Sequence, residues 1–283
     1  MKQLVVLITG ASSGIGYNAA ECLVKAGHKV YGAARRIEKI TAAGVIPLRM
    51  DVTDEQSMKE GVEAILATEG RIDVLVNNAG FGYFGAIETV PIDEARRQLE
   101  VNIFGMARLT QLVLPAMRRQ RSGRIINISS IAGKLVVPFG GWYNVSKYSV
   151  EAFSDALRME VRPFGIKVSI IEPGGIKTDW GGIAAAHLNE SCSGSAYEDA
   201  ACRWASLLRK GYGSDFLSDP AKVARKIARA ATSRRPRLRY KVGIGSRALP
   251  FFHAILPARW WDAFFSRNNI LYLSTPKGKR VTK

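Results

Sequence analysis

Short apolar runs alternate with amphipathic stretches over most of this chain, and no other feature restricts its fold as much. The apolar runs occupy residues 4–8, 29–34, 45–52, 73–80, 124–130, 167–174 and 237–243. Helical patterns separate them at residues 17–26, 55–68, 92–120, 142–164 and 220–232. Strands that are apolar throughout are buried on both faces, and strands that alternate with helices pair in parallel. The sequence therefore predicts an α/β fold: a doubly wound, Rossmann-type parallel sheet with helices on both faces.

One domain accounts for most of the chain, because no linker interrupts the alternation. We assign residues 1–245 to this Rossmann-type domain. Within it the helical period is lost at about residues 179–219, a small, polar and glycine-containing stretch typical of a substrate lid. Residues 246–283 form a basic and aromatic C-terminal extension. With 283 residues, 47% of them hydrophobic, the chain can bury one sizeable core.

The positive charge is concentrated towards the C-terminus. The net charge is +17, and residues 203–283 carry 19 Lys and Arg against 3 Asp and Glu. Such asymmetry indicates an anionic partner, which is anionic lipid, nucleic acid or a phosphorylated ligand. Nucleic acid is the weakest of these and is not expected, because no recognised reading module accompanies the charge. A solubilising surface explains any single basic residue equally well.

The extension also alternates apolar residues with arginines, a pattern typical of a segment lying on an anionic membrane. The apolar positions are Leu249, Phe251, Phe252, Ile255, Leu256, Trp260, Trp261, Phe264 and Phe265. A tail packed over the substrate pocket or a partner subunit fits the same residues. No run is long enough to span a bilayer, and three cysteines without metal-ligand spacing fit a reducing compartment. We expect a cytoplasmic protein with no metal site, which associates with membranes at most peripherally.

A glycine loop follows the first apolar run. The segment TGASSGIG places Gly10, Gly14 and Gly16 between the first strand and the first helix. Glycine lets the backbone turn sharply and approach a pyrophosphate, while the helix that follows presents its N–H groups to the anion. Glycines after a strand also serve plain turns, but this position favours dinucleotide binding.

Arg35 and Arg36 stand where the second strand ends. Enzymes that use NAD usually carry an acidic residue there to hold the ribose 2′-OH. Guanidinium groups suit a 2′-phosphate instead, so the pair favours NADP(H) over NAD(H), and the Ser13 hydroxyl can contact the same phosphate. The alternative is a solvated basic pair at a helix start.

Two further strand ends carry polar or small residues. Asp51 follows the third run and either accepts a hydrogen bond from an adenine amine or caps the next helix, a role that Thr53 or Asp54 would also fill. The segment NNAG, residues 77–80, ends the fourth run. Its small residues and amides allow close approach to a ribose, and a structural turn is the competing interpretation.

Four residues form a candidate catalytic set: Asn102, Ser130, Tyr143 and Lys147. Tyr143 and Lys147 are four residues apart and therefore share one helix face. An ammonium near a phenol favours the phenolate, and a tyrosine of ordinary pKa, about 10, exchanges protons poorly near neutrality. Tyr143 would then protonate a carbonyl oxygen, and Ser130 would hydrogen-bond that oxygen. Each residue also has a structural alternative, as a half-buried helix position or a turn cap.

These motifs together resemble the short-chain dehydrogenase/reductase family, most closely over residues 4–178, where PGGIKT at residues 173–178 matches the family's segment beside the nicotinamide. The resemblance implies that Tyr143 is the general acid/base and that Lys147 lowers its pKa and holds the nicotinamide ribose. Ser130 would orient and polarise the substrate carbonyl, and Asn102 would support a water in a proton relay behind Lys147. It also implies an active enzyme acting on CH–OH groups, and a homo-oligomer, either dimer or tetramer.

The motifs and the resemblance together assign the cofactor contacts. They are Gly10, Ser12, Ser13, Gly14, Ile15, Gly16, Arg35, Arg36, Asp51, Val52, Asn78, Ala79, Gly80, Tyr143, Lys147, Pro173, Gly174, Ile176 and Thr178.

The C-terminal third, from RYKVG onward, resembles the tail of hydroxysteroid and retinol dehydrogenase-like members, which implies a bulky apolar alcohol or ketone. Val137, Phe139, Trp142 and Trp180 are expected to line its pocket, or else to fill the core or a subunit interface. The leading hypothesis is an NADP(H)-dependent oxidoreductase that interconverts a hydroxyl and a carbonyl on a steroid-, retinoid- or lipid-like substrate. The alternative is a non-catalytic NADP(H)-binding redox sensor or regulatory protein, against which the intact set of four argues.

Overall fold

The structure, a computed structural model, describes residues 2–214 and 216–267, with side chains up to residue 264. Within this part seven strands form one sheet, and every neighbouring pair is parallel. The strands are β1 (Val5–Thr9), β2 (Lys29–Ala34), β3 (Val45–Arg49), β4 (Val74–Asn77), β5 (Gly123–Ile128), β6 (Ile166–Pro173) and β7 (Arg239–Val242). Their order is β3-β2-β1-β4-β5-β6-β7. The predicted fold class is confirmed.

Ten α-helices connect or follow the strands in the described part of the chain. They are α1 (Gly14–Lys25), α2 (Glu55–Glu69), α3 (Ile92–Leu99), α4 (Met106–Arg119), α5 (Gly141–Val161), α6 (Trp180–Cys192), α7 (Glu198–Tyr212), α8 (Pro220–Thr232), α9 (Ala248–Ile255) and α10 (Ala258–Arg267). None of the helices in residues 2–214 and 216–267 is long and apolar enough to span a bilayer.

Alternating side chains of the strands build two cores, one on each face of the sheet. Val6 and Ile8 of β1 point to one face, which α1 and α8 cover. Val5 and Leu7 point to the other, which α2, α4 and α5 cover. Burial on both faces explains why the strands are apolar throughout rather than alternating.

The chain reverses its direction of progress across the sheet between β1 and β4. From β1 it moves outward to β2 and β3, and then returns to β4 on the other side of β1. In open parallel sheets a ligand crevice lies outside the carboxyl ends of the strands at such a switch point. Thr9 ends β1 and Asn77 ends β4, so the glycine loop and the NNAG segment meet there.

The predicted helix over residues 92–120 is interrupted. A π-helical segment, Glu100–Gly105, separates α3 from α4. The wider turn brings Asn102 inward, where it is buried, and it places Gly105 so close to the backbone of Val52 that a Cβ there would overlap the Val52 carbonyl. Apolar periodicity does not reveal this interruption, and the loop at Val52 that Gly105 meets is distant in sequence.

The predicted lid is more regular than the sequence indicated. Residues 180–212 contain α6 and α7, which pack against each other through small side chains such as Ala184, Ala185, Ala201 and Ala205. Because alanine and glycine occupy the inner face of α6, this helix lacks the usual contrast between apolar and polar positions. The extension also contains two helices, α9 and α10, and residues 268–283 lie outside the described part.

Candidate active site

The glycine loop turns directly from β1 into α1. Gly10 and Gly14 adopt positive φ angles of 67° and 55°, which favour glycine. At Gly10 a Cβ would lie 2.9 Å from the Asn78 amide nitrogen, and at Gly16 it would overlap the Gly10 carbonyl. At Gly14, by contrast, a Cβ would meet only the Thr178 methyl carbon, at 3.9 Å. Gly10 and Gly16 are thus required by the protein's own packing, whereas Gly14 leaves an open face at the start of α1.

Asn78 ties the NNAG segment to this loop. Its side-chain amide donates to the carbonyls of Thr9, at 2.9 Å, and Gly10, at 3.2 Å. The Thr9 hydroxyl in turn accepts from the backbone N–H groups of Asn78 and Ala79, both at 3.0 Å. Asn78 was predicted to touch a cofactor, and in this structure its amide nitrogen shapes the loop that would hold one.

The residues after β2 and β3 lie at the same edge of the sheet. Arg35 and Arg36 are exposed, and neither forms an ion pair within residues 2–214 and 216–267. Asp51 does not cap α2: Asp54 does, accepting from the backbone N–H groups at the helix start. One Asp51 oxygen instead accepts from the backbone N–H and hydroxyl of Thr53, at 3.0 and 2.8 Å. Of the alternatives at this turn, helix capping therefore falls to Asp54.

Asn102 fastens the chain that follows β4. Its side-chain oxygen accepts from the Phe81 N–H at 3.0 Å, and its amide donates to the Phe81 carbonyl at 2.8 Å and to the Ser146 hydroxyl at 3.0 Å. A Cβ at Gly80 would lie 3.0 Å from the Asn102 oxygen and 3.7 Å from the Lys147 ammonium nitrogen. The structure thus brings Asn102, Gly80 and Lys147 together, with Asn102 directly fixing the loop between β4 and α3.

Tyr143 and Lys147 occupy successive turns of α5, and Ser130 follows β5. Ser130 begins a short 3₁₀ turn, where its hydroxyl accepts from the Ala132 N–H at 3.1 Å, and it is close enough to the Tyr143 phenol to influence its pKa. Lys147 donates to the Ile128 carbonyl at 2.9 Å, and its nitrogen lies 5.8 Å from the centre of the Tyr143 ring. Both α5 side chains are buried. The structure therefore assembles these three predicted residues at the carboxyl end of β5.

Burial shifts the pKa values of Tyr143 and Lys147 in opposite directions. Burial raises the pKa of the Tyr143 phenol to about 12, and the hydrogen bond from Ser130 opposes that rise. Burial also lowers the pKa of Lys147 to about 8, opposed by the charge of Glu151. Burial dominates at both groups, and the Lys147 ammonium donates to the Ile128 carbonyl. The prediction that Lys147 lowers the pKa of Tyr143 stays a prediction.

Glu151, which the sequence analysis did not single out, lies one turn beyond Lys147. It is buried and pairs with Lys134 at 2.8 Å and Arg239 at 3.1 Å. Arg239 also lies 3.2 Å from the buried carboxylate of Glu172 on β6. The helical spacing of Lys147 and Glu151 was visible in the sequence, but the ion pair between Glu151 and Arg239 of β7 could be recognised only from the fold.

An aromatic cluster covers Tyr143. The Trp180 ring centre lies 5.2 Å from that of Tyr143, 5.4 Å from that of Phe84 and 5.4 Å from that of Tyr212. A Cβ at Gly82 would meet both Trp180, at 3.0 Å, and Tyr143, at 3.3 Å. Phe84 and Tyr212 were not predicted, because they join the site from a loop and from the end of α7. The phenol is therefore enclosed by apolar ring surface from the lid.

Three of the four predicted substrate residues come together. Val137, Phe139 and Trp180 pack in the cluster that contains Tyr143. Trp142 does not, since its side chain packs in a separate cluster with Tyr83, Val90, Ala95 and Phe81. A residue adjacent to Tyr143 in a helix points about 100° away from it around the helix axis, which accounts for the separation.

Phe139 has a positive φ of 60°, which is uncommon for a bulky residue. Its carbonyl accepts from the Gly85 N–H at 2.9 Å, so the strained turn is held against the loop that follows β4. Such strain persists where the surroundings over-determine it, commonly at functional sites. The hydrogen bond from Gly85 therefore fixes the position of Phe139 within the segment that connects Ser130 to Tyr143.

The segment after β6 completes the crevice. Gly174 donates to the Val242 carbonyl at 2.8 Å, and Ile176 is buried against the core under α8. Thr178 faces Gly14 across the open side of the glycine loop. The exposed guanidinium groups at the end of β2 and the start of α1 lie at the same edge of the sheet. Together with these residues they form a crevice that fits a dinucleotide. Pro173 ends β6 and is buried, so its predicted cofactor contact stays a prediction.

A parallel sheet with a glycine loop at its switch point, and a buried Tyr–Lys pair with a serine beside it, defines a nicotinamide-dependent oxidoreductase. The comparison with known families agrees: the family described as short chain dehydrogenase matches residues 4–187. The chain belongs to the short-chain dehydrogenase/reductase family, whose members interconvert hydroxyl and carbonyl groups with a nicotinamide cofactor.

Individual relatives cover nearly the whole chain. The 3-ketodihydrosphingosine reductase of Bacteroides thetaiotaomicron is 38% identical over 244 residues, which is 86% of this chain and 89% of that protein. A short-chain dehydrogenase from Streptomyces avermitilis has a crystal structure that matches with a TM-score of 0.77 at 34% identity, covering 95% of this chain and 98% of the other. A metagenomic short-chain oxidoreductase solved in complex with NADP matches with a TM-score of 0.66 at 29% identity, covering 84% and 96%.

Proposed function

We propose that this protein is an NADP(H)-dependent oxidoreductase that interconverts a hydroxyl and a carbonyl on a hydrophobic substrate of steroid-, retinoid- or lipid-like size. The observation that carries the proposal is the enclosure of Tyr143: its ring lies against those of Phe84 and Trp180, and Trp180 packs in turn on Tyr212. A proton donor at the floor of an apolar enclosure suits a carbonyl carried on an apolar molecule.

The chemistry divides between two side chains that can reach one oxygen. When bound, the nicotinamide supplies or accepts the hydride. Tyr143, protonated in this structure, donates its phenolic proton to the carbonyl oxygen as negative charge develops there, and Ser130 donates a second hydrogen bond to the same oxygen. In the reverse direction the phenolate accepts the hydroxyl proton. Lys147 places a cation one helix turn away, which favours that phenolate.

The cofactor preference rests on Arg35 and Arg36. Both side chains are exposed at the end of β2, where a ribose 2′-phosphate lies in folds of this type. A phosphate accepts bidentate hydrogen bonds from guanidinium, whereas a free 2′-OH usually faces a carboxylate. The relative solved with NADP supports the same preference.

The substrate class rests on the walls of the site. Phe84, Val137, Phe139 and Trp180 present apolar surface around the phenol. The 3-ketodihydrosphingosine reductase from Bacteroides is named for a ketone on a long alkyl chain, which supports a lipid-like substrate for this chain as well. Steroid and retinoid substrates share the same requirement for apolar enclosure.

Two properties of the whole protein are proposed on weaker grounds. Peripheral membrane contact is supported by α9 and α10, whose exposed side chains include Phe251, Phe252, Ile255 and Trp260. A homo-oligomer, dimer or tetramer, rests on the family resemblance, and a cytoplasmic location rests on the free cysteines.

A substrate panel tests the proposal directly. Oxidation of NADPH is followed with a long-chain 3-keto sphingoid base, a ketosteroid, retinal and acetone as the small polar control. We expect turnover with at least one bulky apolar compound and a kcat/KM at least about a hundredfold higher than with acetone, as expected for several buried methylene groups. NADPH binding without turnover across the panel would favour the non-catalytic alternative.

A further inference from the structure

A basic cleft lies beside β7, the edge strand of the sheet. It has a volume of about 740 Å³ and is formed by α8, by the end of β7 and by the turn into α9. Six cationic side chains and no acidic side chain line it: Lys222, Arg225, Lys226, Arg229, Lys241 and Arg247. The other lining residues are Val242, Gly243, Ile244, Gly245, Ser246 and Ala248.

The helix α8 is built to hold this charge. One face is buried through Val223, Ala224, Ile227, Ala230 and Ala231. The cleft-lining face repeats cations at three- and four-residue spacing, through residues 222, 225, 226 and 229. Like charges at this spacing repel one another and destabilise a helix, so the pattern gains nothing for folding.

The cleft cations lack acidic partners in the part of the chain that the structure describes. None of the six forms an ion pair within residues 2–214 and 216–267. Of the nearby acids, Glu172 is buried and lies against Arg239, although the charge of Lys241 also lowers its pKa. A cleft of unpaired cations is complementary to an external anion that bears several negative oxygens.

An apolar surface adjoins this cleft. Arg247 and Ala248, which line the cleft, lead directly into α9. Beyond them Phe251 is 59% exposed and Ile255 58%, and Trp260 of α10 is 62% exposed. Cations beside exposed aromatic and aliphatic side chains match the interface of an anionic bilayer, where phosphates lie next to acyl chains.

The same surface reaches the substrate site. The Trp261 indole of α10 donates to the Val136 carbonyl at 3.0 Å, in the segment that connects Ser130 to Tyr143. On the cleft side, Gly174 and Gly175 donate to the carbonyls of Val242 and Ile244 at 2.8 and 2.9 Å. A membrane bound at this surface would therefore lie beside the lid and its apolar enclosure.

We propose that the cleft between α8 and α9 binds the phosphate-bearing headgroups of an anionic membrane, so that α9 and α10 lie in the interface and the substrate enters from the lipid. This inference rests on the proposed membrane contact and names the site responsible for it. The lipid supplies the negative charge that the six cations lack, and the apolar helices supply the preference for a bilayer over a soluble phosphate.

The experiment uses the full chain and sedimentation with two kinds of vesicle. One is phosphatidylcholine alone, and the other is phosphatidylcholine mixed with phosphatidylglycerol in a two-to-one ratio. We expect binding to the mixed vesicles that weakens as salt is raised, and little binding to phosphatidylcholine. The double variant Arg225→Glu/Arg229→Glu is expected to lower the partition coefficient on mixed vesicles at least about tenfold.

A matched control carries the same charge change at the other edge of the sheet. Arg119 and Arg162 are exposed and lie near the amino ends of β5 and β6. The variant Arg119→Glu/Arg162→Glu is expected to retain binding within about twofold, since its charges lie away from the contact. Phe251→Ser/Trp260→Ser removes the apolar contribution without touching the cleft. All variants are checked by thermal unfolding and by NADPH oxidation with a water-soluble ketone.

Three outcomes would overturn the inference. In the first, the cleft variant and the matched control bind mixed vesicles equally well. If the apolar variant alone is then impaired, the membrane contact is supported but its assignment to the cleft is wrong. In the second, inorganic phosphate at millimolar concentration displaces the protein from vesicles completely. In the third, the protein binds a single-stranded oligonucleotide but no vesicle. Turnover of the soluble ketone tests the enzymatic proposal separately, because it does not require a membrane.

Discussion

The ammonium nitrogen of Lys147 lies 5.8 Å from the centre of the Tyr143 ring, and it donates to the Ile128 carbonyl at 2.9 Å. The lysine is therefore anchored to the end of β5 before any substrate is considered. Because both groups are buried, each pKa shifts towards the neutral form: to about 12 for Tyr143 and to about 8 for Lys147. Before substrate binds, Tyr143 is therefore a neutral proton donor, and Lys147 beside it holds its proton less tightly than an ordinary lysine does.

The two reaction directions are expected to depend differently on pH. Reduction needs the phenol of Tyr143, which is protonated below its pKa of about 12, so its rate should not rise with pH. Oxidation needs the phenolate, so its rate should rise by up to about tenfold per pH unit until the operative pKa is reached. Initial rates in both directions between about pH 6 and pH 9 check this. An oxidation rate that falls with pH across that range would contradict the assignment of Tyr143 as base.

Replacing Trp180 should change which substrates are accepted. Its ring packs between Tyr143 and Tyr212, so Trp180→Ala opens space directly above the phenol. We expect the ratio of kcat/KM for bulky over small ketones to rise about tenfold, together with a loss of about 2–3 kcal/mol in unfolding free energy.

Trp142→Ala is the matched control, because Trp142 packs in the neighbouring cluster with Tyr83 and Val90. It should lower stability by a similar amount without altering the size preference. Equal changes in preference for both variants would show that the effect is general loosening rather than space above Tyr143.

Removing the guanidinium groups after β2 should switch the cofactor preference. In Arg35→Ser/Arg36→Ser the 2′-phosphate loses charge-assisted hydrogen bonds, so KM for NADPH is expected to rise about 10- to 100-fold while KM for NADH stays within about twofold. Steady-state kinetics with both cofactors measure this. If both KM values rise together, the arginines serve the fold or the shared part of the cofactor instead.

The stability of the protein should depend on Arg239, the cation that three carboxylates share in the ion cluster behind Lys147. Arg239 lies 3.1 Å from Glu151, 2.6 Å from Asp155 and 3.2 Å from Glu172. Arg239→Met takes the cation away from the buried carboxylate of Glu172, while Glu151 keeps Lys134, and it is expected to cost about 3 kcal/mol at pH 7, measured by urea unfolding. Arg239→Lys, which keeps the charge, should cost clearly less.

That cost should shrink in acid. The folded-state pKa of Glu172 is raised, mainly by burial and next by Glu151. A carboxyl whose pKa is raised on folding destabilises the native state when it is ionised, and this penalty disappears as the pH falls through that raised pKa. The difference in unfolding free energy between Arg239→Met and wild type should therefore narrow as the pH falls from 7 towards the raised pKa of Glu172. A constant difference over that range would mean that lost packing, not unpaired charge, dominates.

Local sequence predicted those parts of the site whose residues are close along the chain. The glycine loop, the end of β2 and the spacing of Tyr143 and Lys147 each depend on one strand end or one helix turn. Parallel strands bring their carboxyl ends to the same edge, so the assembly of these motifs followed from the fold class.

Features that depend on distant contacts were not predictable in the same way. Phe84 reaches Tyr143, and Tyr212 reaches Trp180, from segments far apart in the sequence, and α6 packs through small residues that carry little periodic signal. The π-helical segment that contains the buried Asn102 lies against a loop about 50 residues upstream, near Val52. The pKa of Tyr143 depends on enclosure, which spacing along one helix does not reveal.

The central claim is that Tyr143 is the proton donor in a hydride-transfer reaction, and single-turnover reduction of a responsive ketone by bound NADPH tests it most directly. Tyr143→Phe keeps the ring packed against Phe84 and Trp180 but removes the hydroxyl. We predict unchanged NADPH affinity, measured by fluorescence, and a reduction rate at least about a hundredfold lower than that of wild type. A variant that binds NADPH normally and reduces the ketone at the wild-type rate would contradict the account.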